Sequence, residues 1–162
     1  MMMLIEEGLQ MRYEQYQESL AKLSAAFKPF KGMRLDISYV PKFNETMVKI
    51  VNKNMPLYDY KTMEVKWKPT SMPNLTEVRQ KTREDDINIL ANYDNTFGNH
   101  DITVLGGFQY LTNSYNELRG YRQGNQFQQF EELNAYDPTG QTNSGYTNEW
   151  ELMSYFGCLN YV

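Results

Sequence analysis

A chain of 162 residues with a net charge of −4 and a pI near 5.1 carries no basic field for nucleic acid. Aromatic residues make up 14% of the sequence, including 13 tyrosines, yet the mean hydropathy is −0.68. This combination is typical of a sheet with one apolar and one polar face, whether in a soluble sandwich or in an outer-membrane barrel. The single cysteine, Cys158, excludes an internal disulfide framework.

The N-terminal segment carries no recognisable targeting signal. Residues 1–5 are too short for the apolar region of a signal peptide, and Glu6 and Glu7 follow directly. No run of about 18 apolar residues occurs anywhere, which excludes a transmembrane helix but leaves a membrane β-barrel open. We therefore assign no structure to residues 1–14.

Residues 9–27 fit two secondary structures equally well. An amphipathic helix is favoured by apolar side chains at three- and four-residue spacing, with helix-compatible Glu, Gln, Lys and Ala between them: Leu9, Tyr13, Tyr16, Leu20, Leu23 and Phe27. A strand is favoured by alternating apolar residues that continue across a turn at Lys28–Gly32: Leu23, Ala25, Phe27, Leu35, Ile37 and Tyr39. The second interpretation predicts a β-hairpin within residues 17–43.

A second β-hairpin is predicted within residues 85–112. A short turn containing Gly98 and Asn99 joins two segments of alternating polarity, a pattern typical of hairpins. One face of the hairpin carries mostly apolar side chains: Ile87, Ile89, Ala91, Tyr93, Ile102, Val104, Phe108 and Tyr110. The other face carries most of the polar side chains: Asn88, Asn92, Thr103 and Gln109.

Residues 147–162 predict one long final strand with alternating apolar side chains. An aromatic, uncharged strand that ends a chain invites edge-to-edge aggregation, so we expect this strand to be part of a larger protein. Two long polar stretches, 44–84 and 113–146, are predicted as loops between the hairpins and the last strand. Alternation of short turns with long loops is typical of outer-membrane barrels.

No catalytic, cofactor or metal site is predicted, so the sequence does not indicate an enzyme. His100 is the only histidine, and a lone histidine in a hairpin turn is usually solvated. The single cysteine brings no second ligand for a metal. The acidic pairs Asp85–Asp86 and Glu131–Glu132 place adjacent carboxylates on opposite faces of a strand, which does not suit glycosidase chemistry.

Aromatic residues gather in the second predicted loop, beside arginine and asparagine side chains. Aromatic rings with hydrogen-bonding neighbours suit sugar binding, while ordinary loop packing is the plainer alternative. The candidate substrate-loop residues are Tyr115, Arg119, Tyr121 and Arg122.

Several segments resemble the SusC/RagA-type TonB-linked outer-membrane proteins. The resemblance rests first on Leu90–Phe97 followed by His100–Phe108, which is similar to a hairpin of that family. Glu149–Tyr161 is similar to the family's next landmark. Shorter similar segments lie elsewhere: Phe30–Leu35, Asn74–Arg79 and Glu132–Ala135. Together these segments run in family order from about Gln15 to Val162.

The resemblance implies a fold and a function. It implies an all-β, antiparallel meander of about five strands over residues 15–162, taken from a plugged barrel of about 22 strands. Family members import glycans or peptides across the outer membrane, energised by TonB and capped by a SusD-like surface lipoprotein. No plug domain, TonB box or signal peptide is expected in this chain, and Cys158 stands where the family usually has arginine.

The resemblance also gives the apolar hairpin face a role. In a barrel this face contacts outer-membrane lipid, and the candidate lipid-facing residues are Ile89, Tyr93, Ile102, Val104, Phe108 and Tyr110. The expected partners are then lipid, the lipoprotein and the TonB system, with no nucleic acid. The alternative is a soluble β-rich carbohydrate-binding module, in which the same face forms the core.

Overall fold

The computed structural model describes residues 2–5, 8–68, 70–125 and 129–162, with side chains described from Leu9 onward. The strands in chain order are β1 (Met2–Ile5), β2 (Gly8–Leu20), β3 (Leu23–Phe27), β4 (Met33–Lys53), β5 (Leu57–Tyr58), β6 (Val65–Trp67), β7 (Asn74–Phe97), β8 (His100–Gln123) and β9 (Asp137–Tyr161). One 3₁₀ turn, Leu133–Ala135, precedes β9.

The strands form one large sheet and one small hairpin. The large sheet has the order β1-β2-β4-β7-β8-β9, and β3 also pairs with β4. The small sheet is the antiparallel pair β5-β6. Each long strand pairs with the next long strand along the chain, which is a meander. The all-β antiparallel fold predicted from the sequence is confirmed.

The helix considered for residues 9–27 is wrong, because this segment forms β2 and β3. Backbone pairing within the sheet explains the outcome, since it satisfies the amide groups that a helix would satisfy internally. Leu4 of β1 pairs with Leu9, and the Ala21 amide donates to the Pro41 carbonyl at 3.2 Å. Tertiary pairing overrides local helix propensity.

The hairpin predicted around Lys28–Gly32 is confirmed. Leu23 pairs with Tyr39 and Phe27 pairs with Leu35, as alternation across the turn requires. Gly32 has φ +85° and lies against the Asp94 backbone, so a side chain at this position would be strained and would clash.

The second hairpin is also confirmed, and its turn lies on the same side of the sheet as the first. Only Gly98 and Asn99 separate β7 from β8, and Gly98 has φ +66°. The Asp94 amide, three residues before the end of β7, donates to the Gly32 carbonyl at 2.8 Å. The turn at Lys28–Gly32 therefore lies beside the β7 end that leads into the Gly98–Asn99 turn.

The predicted long loops are shorter in the structure, because the strands extend into them. The connections run from 54 to 73 and from 124 to 136, where 44–84 and 113–146 were predicted. Alternation was hidden because apolar and charged residues share the faces of the extended parts, as where Val48, Lys49, Ile50 and Val51 follow one another in β4. Charged residues there face each other across β4 and β7, as in the ion pairs Lys49–Glu77 at 3.3 Å and Lys81–Glu45 at 3.4 Å.

The chain divides into two compact units. Unit 1 comprises residues 1–17, 45–81 and 116–146, and unit 2 comprises residues 18–44, 82–115 and 147–162. Among the described side chains, every buried one belongs to unit 1. Its core consists of Val51, Leu75 and Tyr136, with Met11, Leu133 and Ala135 packed against them.

Candidate functional site

The most extensive feature of unit 2 is one apolar sheet face, here called the apolar face. Two contacts fix which residues share it. The rings of Phe108 and Tyr155 lie 5.2 Å apart across β8 and β9, and Tyr110 is hydrogen-bonded to Glu151. The members of the face on the long strands are Leu35, Ile37, Ile87, Ile89, Ala91, Tyr93, Ile102, Val104, Phe108, Tyr110, Met153, Tyr155, Leu159 and Tyr161.

All six candidate lipid-facing residues lie on the apolar face, and none of them is buried. Val104 is 40% exposed, and members of the face on β9 are more exposed still, with Tyr155 at 76% and Leu159 at 69%. An uncovered apolar surface of this extent marks an interface with lipid or with another protein. That lipid covers the apolar face stays a prediction.

A polar cluster closes one end of the apolar face. Arg83 Nε donates to Asp85 at 2.7 Å, and the Tyr39 hydroxyl donates to the same carboxylate. The Arg83 guanidinium also lies over the Phe43 ring, 5.3 Å from its centroid. A charged pair and two aromatic rings therefore lie next to Ile87, the first residue of the apolar face on β7.

Aromatic residues close the other end, next to the two hairpin turns. The rings of Phe30 and Tyr93 lie 6.2 Å apart, and Asn95 donates to the Tyr93 hydroxyl at 2.9 Å. His100 stacks on Tyr161 with centroids 5.5 Å apart, and their polar atoms share a hydrogen bond. The lone histidine therefore belongs to this aromatic border.

The height of the apolar face matches a membrane dimension. Asn95 lies ten residues after Asp85 on β7, and the residues facing the same way between them are Ile87, Ile89, Ala91 and Tyr93. Ten strand residues span about 33 Å along the strand, or about 25 Å along the membrane normal at a tilt of about 40°. The apolar band of an outer-membrane barrel is about 25 Å tall.

The opposite face of unit 2 is polar and forms its own hydrogen bonds. Gln109 on β8 donates to Asp86 on β7 at 3.1 Å, and Asn88 donates to the same carboxylate at 2.9 Å. Asn92 donates to Asp94 at 2.9 Å. The predicted separation of polar and apolar faces in the second hairpin is therefore present, and the polar face is suited to water.

The candidate substrate-loop residues do not lie in a loop. Tyr115, Arg119, Tyr121 and Arg122 are all part of β8, because that strand continues to Gln123. The polar sequence around them concealed the strand. Tyr115 belongs to unit 2, and the other three belong to unit 1.

Within unit 1, the three candidates divide between the two faces of β8. Gln80 donates to Glu117 across β7 and β8 at 2.9 Å, and strand alternation places Arg119 and Tyr121 on the face of Glu117. Arg122 lies on the other face, where it donates to the Leu133 carbonyl at 3.2 Å and to Gln141 at 2.9 Å. Arg122 therefore holds the connection before β9 in place.

Lysines that the sequence analysis did not single out reinforce the same connection. Lys53 pairs with Glu131 at 2.6 Å, and Lys49 donates to the Glu131 carbonyl at 2.6 Å. The buried Asn125 donates to the Phe130 carbonyl at 2.9 Å. No periodic pattern reveals these contacts, because each joins a strand to a connection distant in sequence.

The described residues hold neither a metal site nor a membrane helix. No group of three His, Cys, Asp or Glu side chains among them is placed to hold a metal ion. Within the same residues, no helix has the length and apolar character to cross a bilayer. Cys158 is a free, exposed thiol on β9.

No known protein family matches the sequence, and no curated protein matches it either. Solved structures do match the fold. The RagAB peptide transporter and the RagAB peptide importer in its "open-open" state each give a TM-score of 0.78 at 16% identity. The importer in its "closed-closed" state gives 0.71 at 18% identity. Each match covers 94% of this chain and 16% of the matched chain, so the fold is shared with a segment of a much longer protein.

Proposed function

We propose that this chain is a segment of the β-barrel of a TonB-dependent outer-membrane transporter of SusC/RagA type, which takes up glycans or peptides as nutrients. Unit 2 supplies the membrane-crossing part, and its apolar face contacts lipid. The observation that carries the proposal is this face: it is uncovered, about as tall as the apolar band of a barrel, bordered at one end by charged and aromatic side chains and at the other by aromatic ones. The fold shared with the RagAB peptide transporter supports the same conclusion.

A soluble carbohydrate-binding module is the weaker alternative. In such a module the apolar face would be the core, so its side chains would be buried against a second layer. In unit 2 none of the described side chains is buried, and Phe108 and Tyr155 contact each other along the sheet surface. Lipid removes this surface from water without a second protein layer.

In the proposed barrel, the polar face of unit 2 lines the water-filled interior, and the turns at Lys28–Gly32 and Gly98–Asn99 face the periplasm. Arg119 and Tyr121 contact the substrate, since they share the face of Glu117 and lie away from Arg122. The complete transporter works with a SusD-like surface lipoprotein and the TonB system. A peptide is the substrate favoured by the likeness to a peptide transporter.

The test is a matched pair of substitutions in the full-length transporter. Val104→Arg places a charge on the apolar face. Thr103→Arg places the same charge at the adjacent residue, which lies on the polar face. An arginine at the lipid midplane costs about 2–4 kcal/mol, so Val104→Arg is expected to reduce the assembled, heat-modifiable barrel in outer-membrane fractions. Thr103→Arg is expected to assemble normally.

The opposite pattern, or equal assembly of both variants, would overturn the proposal. A soluble product whose unfolding is promoted by Val104→Arg alone would favour the carbohydrate-binding module. Substrate uptake is measured separately, because loss of assembly and loss of transport report different steps.

A further inference from the structure

Unit 1 carries an open cleft of about 370 Å³ on one face of its sheet. The cleft lies over three neighbouring strands, and its lining includes Tyr13 and Gln15 of β2, Met47 and Lys49 of β4, and Glu77 and Arg79 of β7. Glu132, in the connection before β9, also lines it. A cleft of this volume lies in the range of small-molecule sites.

The side chains that matter for a ligand share one face of the sheet. Lys49 and Glu77 form an ion pair at 3.3 Å across β4 and β7, and strand alternation places Arg79 on the same face as Glu77. Tyr13 lies on this face too, because its hydroxyl donates to Met11, which packs against the core of unit 1. The cleft therefore brings these groups together on one surface.

Two opposite charges at the cleft are available for a ligand. The other charged groups of its lining are neutralised in two ion pairs: Lys49–Glu77 at 3.3 Å and Arg12–Glu14 at 3.0 Å. Arg79 and Glu132 are exposed, and neither charged group forms an ion pair or a hydrogen bond with another described residue. Within the described part of the chain, the cleft thus offers one unpaired cation and one unpaired anion.

Opposite charges in one cleft fit a ligand that carries both, because each charged group of the ligand then finds its partner. The planar guanidinium of Arg79 suits a carboxylate, and the Glu132 carboxylate accepts hydrogen bonds from an ammonium group. The Tyr13 ring and the Met47 thioether supply apolar contact for a side chain.

We propose that this cleft binds a zwitterionic amino acid or short peptide with an apolar side chain. Arg79 binds the carboxylate of the ligand, Glu132 binds its ammonium group, and Tyr13 and Met47 contact its side chain. Because Arg79 belongs to β7 and Glu132 to the connection, the bound ligand fastens the connection to the sheet.

This site goes beyond the proposed substrate contacts, because it lies on the opposite face of the sheet. Gln80 donates to Glu117, which shares its face with Arg119 and Tyr121. Arg79 is adjacent to Gln80 on β7 and therefore points the other way. Binding at the cleft does not require contact with Arg119.

The experiment measures binding of glycyl-leucine to the purified full-length protein by isothermal titration. Two derivatives each lack one charge: N-acetyl-glycyl-leucine has no ammonium group, and glycyl-leucine amide has no carboxylate. The wild type is expected to bind the free dipeptide about 10-fold more tightly than either derivative, since each derivative loses one charge-assisted contact.

Each substitution at the cleft is expected to remove discrimination against one derivative. Arg79→Gln should bind glycyl-leucine and its amide equally, and Glu132→Gln should bind glycyl-leucine and its N-acetyl derivative equally. A purely structural effect would weaken all three ligands alike. In the wild type, glycyl-leucine should also slow amide exchange at Ala135, whose amide donates to the Glu132 carbonyl at 2.9 Å. The control Lys61→Gln removes an exposed charge of unit 1 outside the cleft and should change no affinity.

Three outcomes would overturn the inference and leave the proposed function in place. The first is the absence of glycyl-leucine binding, or equal binding of the dipeptide and both derivatives by the wild type. The second is discrimination that persists in Arg79→Gln while binding is lost in Arg119→Ala, which would assign the dipeptide to the opposite face. The third is binding without slower exchange at Ala135, which would show that the ligand does not fasten the connection.

Discussion

The Phe156 ring on β9 lies directly across Gly107 on β8, on the polar face of unit 2. A Cβ built on Gly107 would overlap the ring atoms of Phe156, whereas one built on Gly106 would meet no atom within 4 Å. An aromatic ring that covers a glycine on the neighbouring strand protects the exposed backbone and fixes strand register. Gly107 therefore makes room for the Phe156 ring, whereas the space above Gly106 is unoccupied.

We predict that Gly107→Ala destabilises the protein and that Gly106→Ala does not. Both changes reduce the entropy of the unfolded chain by the same amount, so their difference isolates the displaced ring. Overpacking is expected to make Gly107→Ala less stable than Gly106→Ala by about 1–3 kcal/mol. The free energy of unfolding in urea, measured on both variants in the same lipid, checks this, and equal stabilities would contradict the packing role of Phe156.

A second prediction concerns the core of unit 1. Leu75 is fully buried against Val51 and Tyr136, whereas Leu118 on β8 is 59% exposed. Leu75→Ala should cost about 2–5 kcal/mol because it leaves a cavity, and Leu118→Ala should change stability by less than about 0.5 kcal/mol. Chemical denaturation distinguishes them. A tolerated Leu75→Ala would mean that this small core does not hold the connection before β9.

A third prediction follows from Asp59 in the β5-β6 hairpin. Its carboxylate accepts hydrogen bonds from Lys66 at 2.8 Å and from the amides of Lys61 at 2.7 Å and Thr62 at 3.1 Å. The Lys66 contact first, and then the two amides, hold the pKa of Asp59 below its ordinary value. The folded hairpin therefore binds this proton more weakly than the unfolded chain does.

The sign of the pH dependence is fixed by that lowered pKa. The contribution of Asp59 is fully present above its ordinary pKa and is lost as pH falls through the lower, folded pKa. Amide-exchange protection factors of Met63 and Glu64, corrected for intrinsic rates, should stay constant above the ordinary pKa of aspartate, about 3.9, and should fall as the pH drops below it. Asp59→Asn should remove this pH dependence, and the same fall in the variant would assign it to another group.

The sequence predicted a strand correctly where polar and apolar residues alternate along it, and missed it where they do not. Ile102 and Val104 flank Thr103, and Phe108 and Tyr110 flank Gln109, so the second hairpin and its apolar face were predicted correctly. Around Lys49 and Glu77, charged and apolar residues do not alternate, so hydropathy gives no period of two, although these residues pair across the sheet. Charge complementarity between distant segments was the missing signal, and it becomes visible only once β4 and β7 are known to be neighbours.

The helix error has a different cause. Leu9 and Tyr13 are four residues apart, a spacing that suits both a helix face and one strand face, since four is even. Tyr16 breaks the strand alternation, which made a helix an equal choice. Packing decided the outcome: Met11, which lies between Leu9 and Tyr13 on the same strand face, contacts the unit 1 core, and the helical spacing had not marked it. Local spacing could not resolve a segment whose structure depends on a partner strand.

The two arginines near the end of β8 give the sharpest test of the assigned substrate residues. Arg119 is exposed and shares a strand face with Glu117, whereas Arg122 is held by the Leu133 carbonyl and Gln141. In the full-length transporter, Arg119→Ala should weaken peptide binding by about 5- to 30-fold, the cost of one charged hydrogen-bond donor at about 1–2 kcal/mol, without loss of stability. Isothermal titration with a peptide mixture of acidic composition measures this effect.

Arg122→Ala should behave in the reverse way. It frees a backbone carbonyl and Gln141, so amide exchange at Ala135 and Tyr136 should become faster while peptide affinity stays within about twofold. The pair controls for charge, because both variants remove one guanidinium from the same strand. If Arg122→Ala lowers affinity as much as Arg119→Ala does, the substrate contacts the opposite face of β8, and the assignment of the polar face to the barrel interior must be reversed.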